Sequence, residues 1–347
     1  MAVTYTDNYL QDLQRVQSAI PHLERLDHSR ILITGAGGLI CSALVDVLLR
    51  RNDTAGAGIQ VYAAGRDQGK LERRFAHWAG REDLHFVAYE ASQPLEISDS
   101  FDYLIHGASP ANPGAYSTQP VQTMTANFMG TYYLLQHAKG CGAKRVVYIS
   151  SSEVYGKKEG SNPYHEQEYG FVDILNARAC YPSSKRAAET LCAAFAQEYG
   201  VDAVIVRPGH VYGPTATASD NRASSQFPRD VKAGKDIVMK SAGSQLRSYC
   251  YVLDCASAVL AVMLEGQTAQ AYNISNPHSV VTIRQMAQAF ADAAGRKLVF
   301  ENATDEEKKS YNLMDNSALT SDALEALGWK GLFDLEAGVK ATLDALD

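Results

Sequence analysis

Apolar and polar positions fall into alternating blocks along this chain. Arg30-Ile31-Leu32-Ile33-Thr34 is short and almost wholly apolar, the pattern of a strand buried on both faces. Residues 60–64, 84–88, 103–106, 145–149 and 202–207 repeat that pattern. Between them lie longer stretches, 42–51, 118–139 and 178–199, with apolar residues at helical spacing. Strand and helix in alternation predict an α/β fold: a Rossmann-type, doubly wound parallel sheet with right-handed crossovers. Ahead of it, Tyr9, Leu10, Leu13, Val16, Ile20, Leu23 and Leu26 predict a helical arm over residues 1–29 that packs on the domain behind it. After residue 214 the pattern shortens. Residues 215–228 are rich in Ser, Thr, Ala and Asn and read as a mobile loop over a substrate. The organisation expected is an arm (1–29), an NAD(P)-binding domain (30–214) and a smaller α/β substrate lobe (215–347). That lobe returns a strand or helix to the first domain and ends in a helix at 335–346.

Composition changes this picture little. A chain of 347 residues, 46% hydrophobic and 20% charged, is an ordinary globular protein long enough for a full core. A net charge of −7 argues against nucleic acid or an anionic membrane as the main partner. The six Cys form no C-x-x-C pair and have no spaced His partners. They read as reduced thiols of a cytoplasmic protein, with neither disulfide frame nor metal site. No segment has the pattern of a signal peptide or the apolar length of a membrane span.

The chemistry is carried by a few stretches. Gly35-Ala36-Gly37-Gly38-Leu39-Ile40-Cys41 lies between the first strand and the first long helix. Such a turn lets the backbone approach a pyrophosphate at the helix N-terminus, which makes Gly35, Gly37, Gly38, Leu39 and Ile40 candidate cofactor contacts. In the T-G-x-x-G-x-x-G form of this loop, Cys41 stands for the last Gly, a position where a small side chain is tolerated. At the end of the second strand, a carboxylate would hold the ribose hydroxyls of NAD, but Gly65-Arg66 stands there. Arg66 suits a 2′-phosphate, so NADP stays open beside NAD, as does the alternative that Asp67 supplies the acid. Glu90 is expected near the adenine edge, Ala108 along the cofactor's inner side, Asn127 as an organiser of the site backbone, and Ser150 and Pro208 at strand ends, where ligands bind in open α/β sheets.

Tyr181 and Lys185 lie four residues apart, one turn on one helix face. An ammonium beside a phenol of ordinary pKa about 10 favours the phenolate, a usable base. The Ser151 hydroxyl would complete a proton path to a substrate alcohol. With these residues in place, the chain from Ile31 to about Trp329 resembles the extended short-chain dehydrogenase/reductase family of nucleotide-sugar epimerases, dehydratases and decarboxylases. The motifs most resemble its UDP-glucuronate decarboxylase branch. They are His106-Gly107-Ala108-Ser109-Pro110-Ala111-Asn112-Pro113, Ser151-Ser152-Glu153-Val154-Tyr155-Gly156, Arg178-Ala179-Cys180-Tyr181 with Lys185-Arg186, Asp220-Asn221-Arg222 through Ser225-Gln226-Phe227, and Arg247-Ser248-Tyr249-Cys250-Tyr251-Val252.

The resemblance implies Tyr181, Lys185, Ser151 and Glu153 as catalytic residues. It implies Ser109, Ser152, His210, Arg222, Gln226 and Arg247 as contacts to a nucleotide sugar, NAD as a cofactor recycled in place, no metal, and a homodimer built from the 118–139 and 181–199 helices through Phe128, Tyr132, Leu135 and Phe195. Glu153 argues against a plain 4-epimerase. Ser152, where dehydratases usually carry Asp, argues against those. Gly65-Arg66, His210 in place of a sugar-contacting Asn, and Pro182 after the Tyr depart from the decarboxylase. A net NADPH-dependent reductase of a nucleotide-linked keto sugar or ketose is therefore the competing reading, and a catalytically idle NAD(P)-sensing protein a third.

Overall fold

Residues 3–111, 113–160, 162–302 and 316–346 of a computed structural model are described; Asn112 of the first motif lies outside them. Arg30–Thr34 forms β1, buried at all but its first residue. It is flanked by β2 (Gln60–Gly65) and β4 (Tyr103–His106), with β3 (Leu84–Ala88) outside β2, and β5 (Arg145–Ile149) and β6 (Ala203–Pro208) outside β4. A late strand, Ala271–Ile274, pairs with β6 and completes a seven-stranded sheet in which every pairing is parallel. All but one of the apolar runs are thus interior strands; β3, only half-buried, forms one edge of the sheet.

The helices between these strands cover the sheet. They are α2 (Leu39–Ala55), α3 (Gln68–Arg74), α4 (Pro113–Thr118), α5 (Pro120–Cys141) and α6 (Cys180–Tyr199), after α1 (Asp7–Arg15) in the arm. Leu135 and Phe195, expected at a dimer face, are buried in the chain's own core between the sheet and these helices. Val121, Met124 and Phe128 of α5 remain exposed.

Past β6 the chain builds two small sheets. In one, β7 (His210–Tyr212) and β9 (Leu246–Tyr251) run parallel; in the other, β8 (Ile237–Met239) pairs with Leu298–Phe300. The helix α7 (Ala223–Lys232) occupies much of the stretch expected as a mobile loop. Asp220 explains the difference: its carboxylate accepts from the Arg222 side chain and backbone and from the Ser225 hydroxyl, which fixes the turn entering the helix. The next helix, α8 (Val252–Glu265), is buried along nearly its whole length and packs on α2, while Ala271–Ile274 returns to the large sheet.

The arm is not one helix. Pro21 lacks the N–H a helix needs, and the chain breaks into α1 and two short 3-10 turns, Val16–Ala19 and Leu23–Leu26. What holds it is Asp46 of α2, fully buried. Its carboxylate accepts from the Tyr5 hydroxyl at 2.7 Å, the Tyr9 hydroxyl at 3.1 Å, Trp78 Nε1 at 2.8 Å and Arg74 at 2.6 Å. Removing one partner of a buried ion pair leaves the other charge uncompensated. An Asp46→Ala variant should therefore lose about 3–5 kcal/mol of stability in urea unfolding, with the loss appearing as early release of the arm.

Candidate active site

The turn after β1 sets the cofactor end of the site. Gly35 has φ +69°, and a Cβ there would lie 2.8 Å from the Gly107 carbonyl group and the Ala108 nitrogen. Only glycine brings the two strand ends this close. Gly38 then starts α2 with no side-chain cap, which leaves the first N–H groups of the helix facing the cleft. Cys41 is buried, and its Sγ lies where a Cβ on residue 107 would fall, 2.2 Å from it. The small side chain replaces the expected third glycine because residue 107 is itself glycine.

This turn opens one wall of a continuous cleft of ≈ 2770 Å³ at the carboxyl ends of the large sheet's strands. Gly35, Gly37, Gly38, Leu39, Ile40, Arg66, Glu90, Ala108, Ser150, Tyr181, Lys185 and Pro208 line it, as do Ser109, Ser151, Ser152, Glu153, His210, Arg222, Gln226 and Arg247. Glycine backbone, an uncapped helix start and a long cleft fit a dinucleotide pyrophosphate.

Some expected contacts are otherwise engaged. Asn127 lies outside the cleft lining; it is buried in α5 and donates to the Ser184 hydroxyl at 2.9 Å, tying α5 to α6. Ser150 lines the cleft, but its hydroxyl is turned to Glu189 at 2.5 Å. Asp67 is exposed and lines the cleft beside Arg66, with one carboxylate oxygen capping α3 by accepting from the Lys70 N–H at 3.0 Å. Arg66 is exposed at the cleft wall. Gln226 is bonded to Asp230.

Tyr181 sits in the first turn of α6 and is 6% exposed. Burial and the Glu153 carboxylate push its phenol up to about 12, while hydrogen bonds from Ser151 and Tyr116 and the Arg222 guanidinium pull it down. Lys185 is also buried. Its Nζ donates to the Ile149 carbonyl at 2.7 Å and lies 5.7 Å from the Tyr181 ring centre. Burial lowers this ammonium to about 7. Tyr181 is therefore not depressed by Lys185 as expected: burial acts on both groups, and the cation is turned to a carbonyl. Glu153, in the turn after β5, meets Arg178 at 3.2 Å and 3.4 Å. Arg222 is paired with Asp220. Arg247 is buried and donates to the Leu246 carbonyl. Ser109 and His210 line the cleft, and Ser109 Oγ and His210 Nδ1 are buried without a hydrogen-bond partner. Burial, with Arg247 and Arg222, lowers His210 to about 3.

Two neighbours of Tyr181 escaped the sequence. Tyr116 of α4 stacks on it, ring centres 4.4 Å apart and planes 21° apart, and Arg178 lies 4.6 Å over the outer face of Tyr116. Arg178 was visible as a motif residue, but Tyr116 lies in a helix too short for any periodic signal.

With this geometry in view, the family can be stated: residues 31–275 match the NAD dependent epimerase/dehydratase family, and the chain belongs to it. It is 30% identical over 326 residues to UDP-glucuronic acid decarboxylase 1 of Xenopus tropicalis, covering 93% of this chain and 73% of that protein. It is 30% identical to UDP-glucuronic acid decarboxylase 3 of Arabidopsis thaliana, covering 89% and 86%. The fold is shared with a dTDP-glucose 4,6-dehydratase from Streptomyces venezuelae solved with NAD, at TM-score 0.76 and 22% identity over 91% of this chain and 96% of that one. It is shared also with a UDP-glucuronic acid 4-epimerase from Bacillus cereus, in its complex with UDP-glucuronic acid and NAD, at 0.72 and 22% over 91% and 98%.

His106, beneath the cleft, supplies a test of the electrostatics. It is buried, bonded to the Thr34 hydroxyl at 2.8 Å, and lowered to about 3 by burial and by Lys185. The unfolded chain takes up this proton near pH 6.5 and the folded chain only near 3, so stability falls as pH drops through that window, by about 1.4 kcal/mol per unit. Between pH 7 and pH 5, a His106→Gln variant should lose about 2 kcal/mol less than the parent in urea unfolding.

Proposed function

We propose that this chain is a UDP-glucuronate decarboxylase that forms UDP-xylose, with NAD recycled in the site. The observation that carries the reading is the acid at the base: Glu153 faces the same cleft as Tyr181, close enough to raise its pKa, beside two arginines suited to a substrate's charges. The likeness to curated decarboxylases along most of the chain supports it.

Tyr181, as phenolate, accepts the proton of the sugar's C4 hydroxyl, and Ser151 hydrogen-bonds to the same oxygen. Lys185, released from the Ile149 carbonyl, supplies positive charge beside Tyr181 and a donor toward the nicotinamide ribose. NAD held along the glycine turn and beside Lys185 would supply a reversible hydride acceptor for C4. Once C4 is a ketone, the carboxylate on C5 belongs to a β-keto acid. The C5–C6 bond breaks, CO2 leaves, and the electron pair becomes an enolate on O4, where Ser151 and the protonated Tyr181 donate to it. C5 takes a proton from solvent relayed through Glu153, and return of hydride to C4 with the Tyr181 proton on O4 restores the alcohol. Arg222 and Arg247 hold the diphosphate or carboxylate, since a planar guanidinium fork matches both. Ser109, Ser152, Gln226 and the unpartnered His210 Nδ1 make the remaining sugar and nucleotide contacts.

Arg66, exposed at the cleft wall, favours a second reading in which a 2′-phosphate is accepted and the protein reduces a keto sugar with NADPH. A homodimer through the outward stripe of α5, Val121, Met124 and Phe128, goes with either reading. The free state of the six Cys suits a reducing, cytoplasmic setting. Among the described residues, no helix is long and apolar enough to cross a membrane.

Incubation with UDP-glucuronate and NAD should release CO2 and a UDP-pentose, detected by mass spectrometry; no reaction on this substrate would sink the decarboxylase reading. Tyr181→Phe should lower kcat by about 10²–10⁴-fold. Titration of cofactor binding checks the adenosine end: Arg66→Asp should weaken NADP binding and strengthen that of NAD, whereas an unchanged ratio removes Arg66 from cofactor choice.

A further inference from the structure

The arm reaches the cofactor end of the cleft, although the region that matches the family begins only at residue 31. Val3 and Tyr5 line the cleft beside Arg66, Asp67, Leu71 and Arg74. The Tyr5 hydroxyl donates to Asp46 at 2.7 Å and accepts from Arg74 at 2.6 Å. Its ring stacks on His77, centres 4.1 Å and planes 5° apart, and meets Trp78 edge-on. Arg74 ends α3, and His77 and Trp78 lie in the 3-10 turn after it. The arm therefore grips the far end of α3.

The body of α3 touches the cofactor turn. Leu71, buried in the middle of the helix, lies beside two glycines at once. Its side chain comes within 3.4 Å of where a Cβ would stand on Gly37, in the turn after β1, and on Gly65, at the end of β2. A dinucleotide lays its pyrophosphate on the first of these positions and its adenosine ribose near the second. With 7 residues, α3 is too short to keep its place by its own hydrogen bonds. Asp67 caps its start, and Arg74, paired with buried Asp46 at 2.6 Å, fixes its end. Tyr5 is bonded to both members of that pair.

We propose that Tyr5 is a positioning residue for the dinucleotide: through Arg74 it sets α3, so that Leu71 supports Gly37 and Gly65 where the pyrophosphate and adenosine bind. Docking of the arm and binding of the cofactor are then coupled, and the coupling is reciprocal. The arm can bear this load because it is tied down beyond Tyr5 as well. The Thr4 N–H donates to the Ala345 carbonyl at 2.9 Å and the Thr6 hydroxyl to Asp344 at 2.8 Å. The inference needs the dinucleotide site and not the identity of the sugar.

ADP-ribose, which carries the adenosine and pyrophosphate of NAD without its nicotinamide, is the probe, titrated by calorimetry into the full chain. Tyr5→Phe keeps the stack on His77, removes both hydrogen bonds and leaves Asp46 paired with Arg74. It should raise the Kd for ADP-ribose by at least about five-fold, the lower end of ordinary coupling between sites. In a Leu71→Ala background the same change should add less than about two-fold, since the route is already cut. In the parent, saturating ADP-ribose should slow amide hydrogen exchange over α1 by at least about five-fold. Where a variant does not fold, this exchange in the parent decides. A Kd that Tyr5→Phe leaves within about two-fold overturns the proposal, and so does exchange that ADP-ribose leaves unchanged. Fully additive effects of the two substitutions overturn it too, because Tyr5 would then meet the ligand directly. No sugar enters these measurements. Failure of UDP-glucuronate turnover therefore leaves Tyr5 in its role, and an unmoved Kd for ADP-ribose leaves the decarboxylase reading intact.

Discussion

The site depends on one buried carboxylate. Glu189 lies on α6 one turn beyond Lys185, and it accepts from Arg207 at the end of β6 at 2.9 Å and 2.6 Å and from the Ser150 hydroxyl at the end of β5 at 2.5 Å. Arg207 reaches on to the Tyr155 hydroxyl, the Glu166 carbonyl and the Tyr169 hydroxyl, so the turn that carries Ser151 and Glu153 is braced from below. One ion pair thus fixes the helix bearing Tyr181 and Lys185, two strand ends and the loop between them. Its charges are almost fully removed from water, and every arm of the guanidinium is bonded. A buried pair of this kind contributes little net stability against an apolar substitute but costs several kcal/mol if halved, so its use here is geometric.

Burial then decides how the side chains above it behave. Tyr181 rises and Lys185 falls, so the two groups, of similar ordinary pKa, are driven apart. Burial favours the neutral form of each. A cationic partner, or loss of the Lys185–Ile149 contact, tips this poised pair toward phenolate and ammonium. Glu153 is paired with Arg178, and Arg222 with Asp220, so the charged groups near Tyr181 compensate one another.

Much of this was legible from order along the chain. The apolar run at residues 31–33, the glycine turn and the Tyr181–Lys185 spacing each encode local geometry, and local geometry survives folding. Contacts between distant residues were not legible. The Tyr181 pKa is set by Tyr116, Glu153 and burial, none of which a four-residue spacing reveals. Asn127 was legible as a polar residue near the site, but not its route: it donates to Ser184, whose hydroxyl donates to the Tyr181 carbonyl. Residues 223–228 looked like a loop because their polar composition hid the part played by Asp220 in starting a helix.

The Cys41–Gly107 contact constrains the order in which this loop can evolve. The Cys41 sulfur fills the volume where a side chain at 107 would begin, so adding a methyl at 107 first forces an overlap at 2.2 Å. Trimming residue 41 to glycine first leaves a new Cβ at 107 only the tighter but tolerable neighbours Ile149 and the Thr34 carbonyl, both at 3.3 Å. The two positions are epistatic: one mutational path is open and its reverse is closed, and sequences with a bulkier residue at both should not be found among folded descendants.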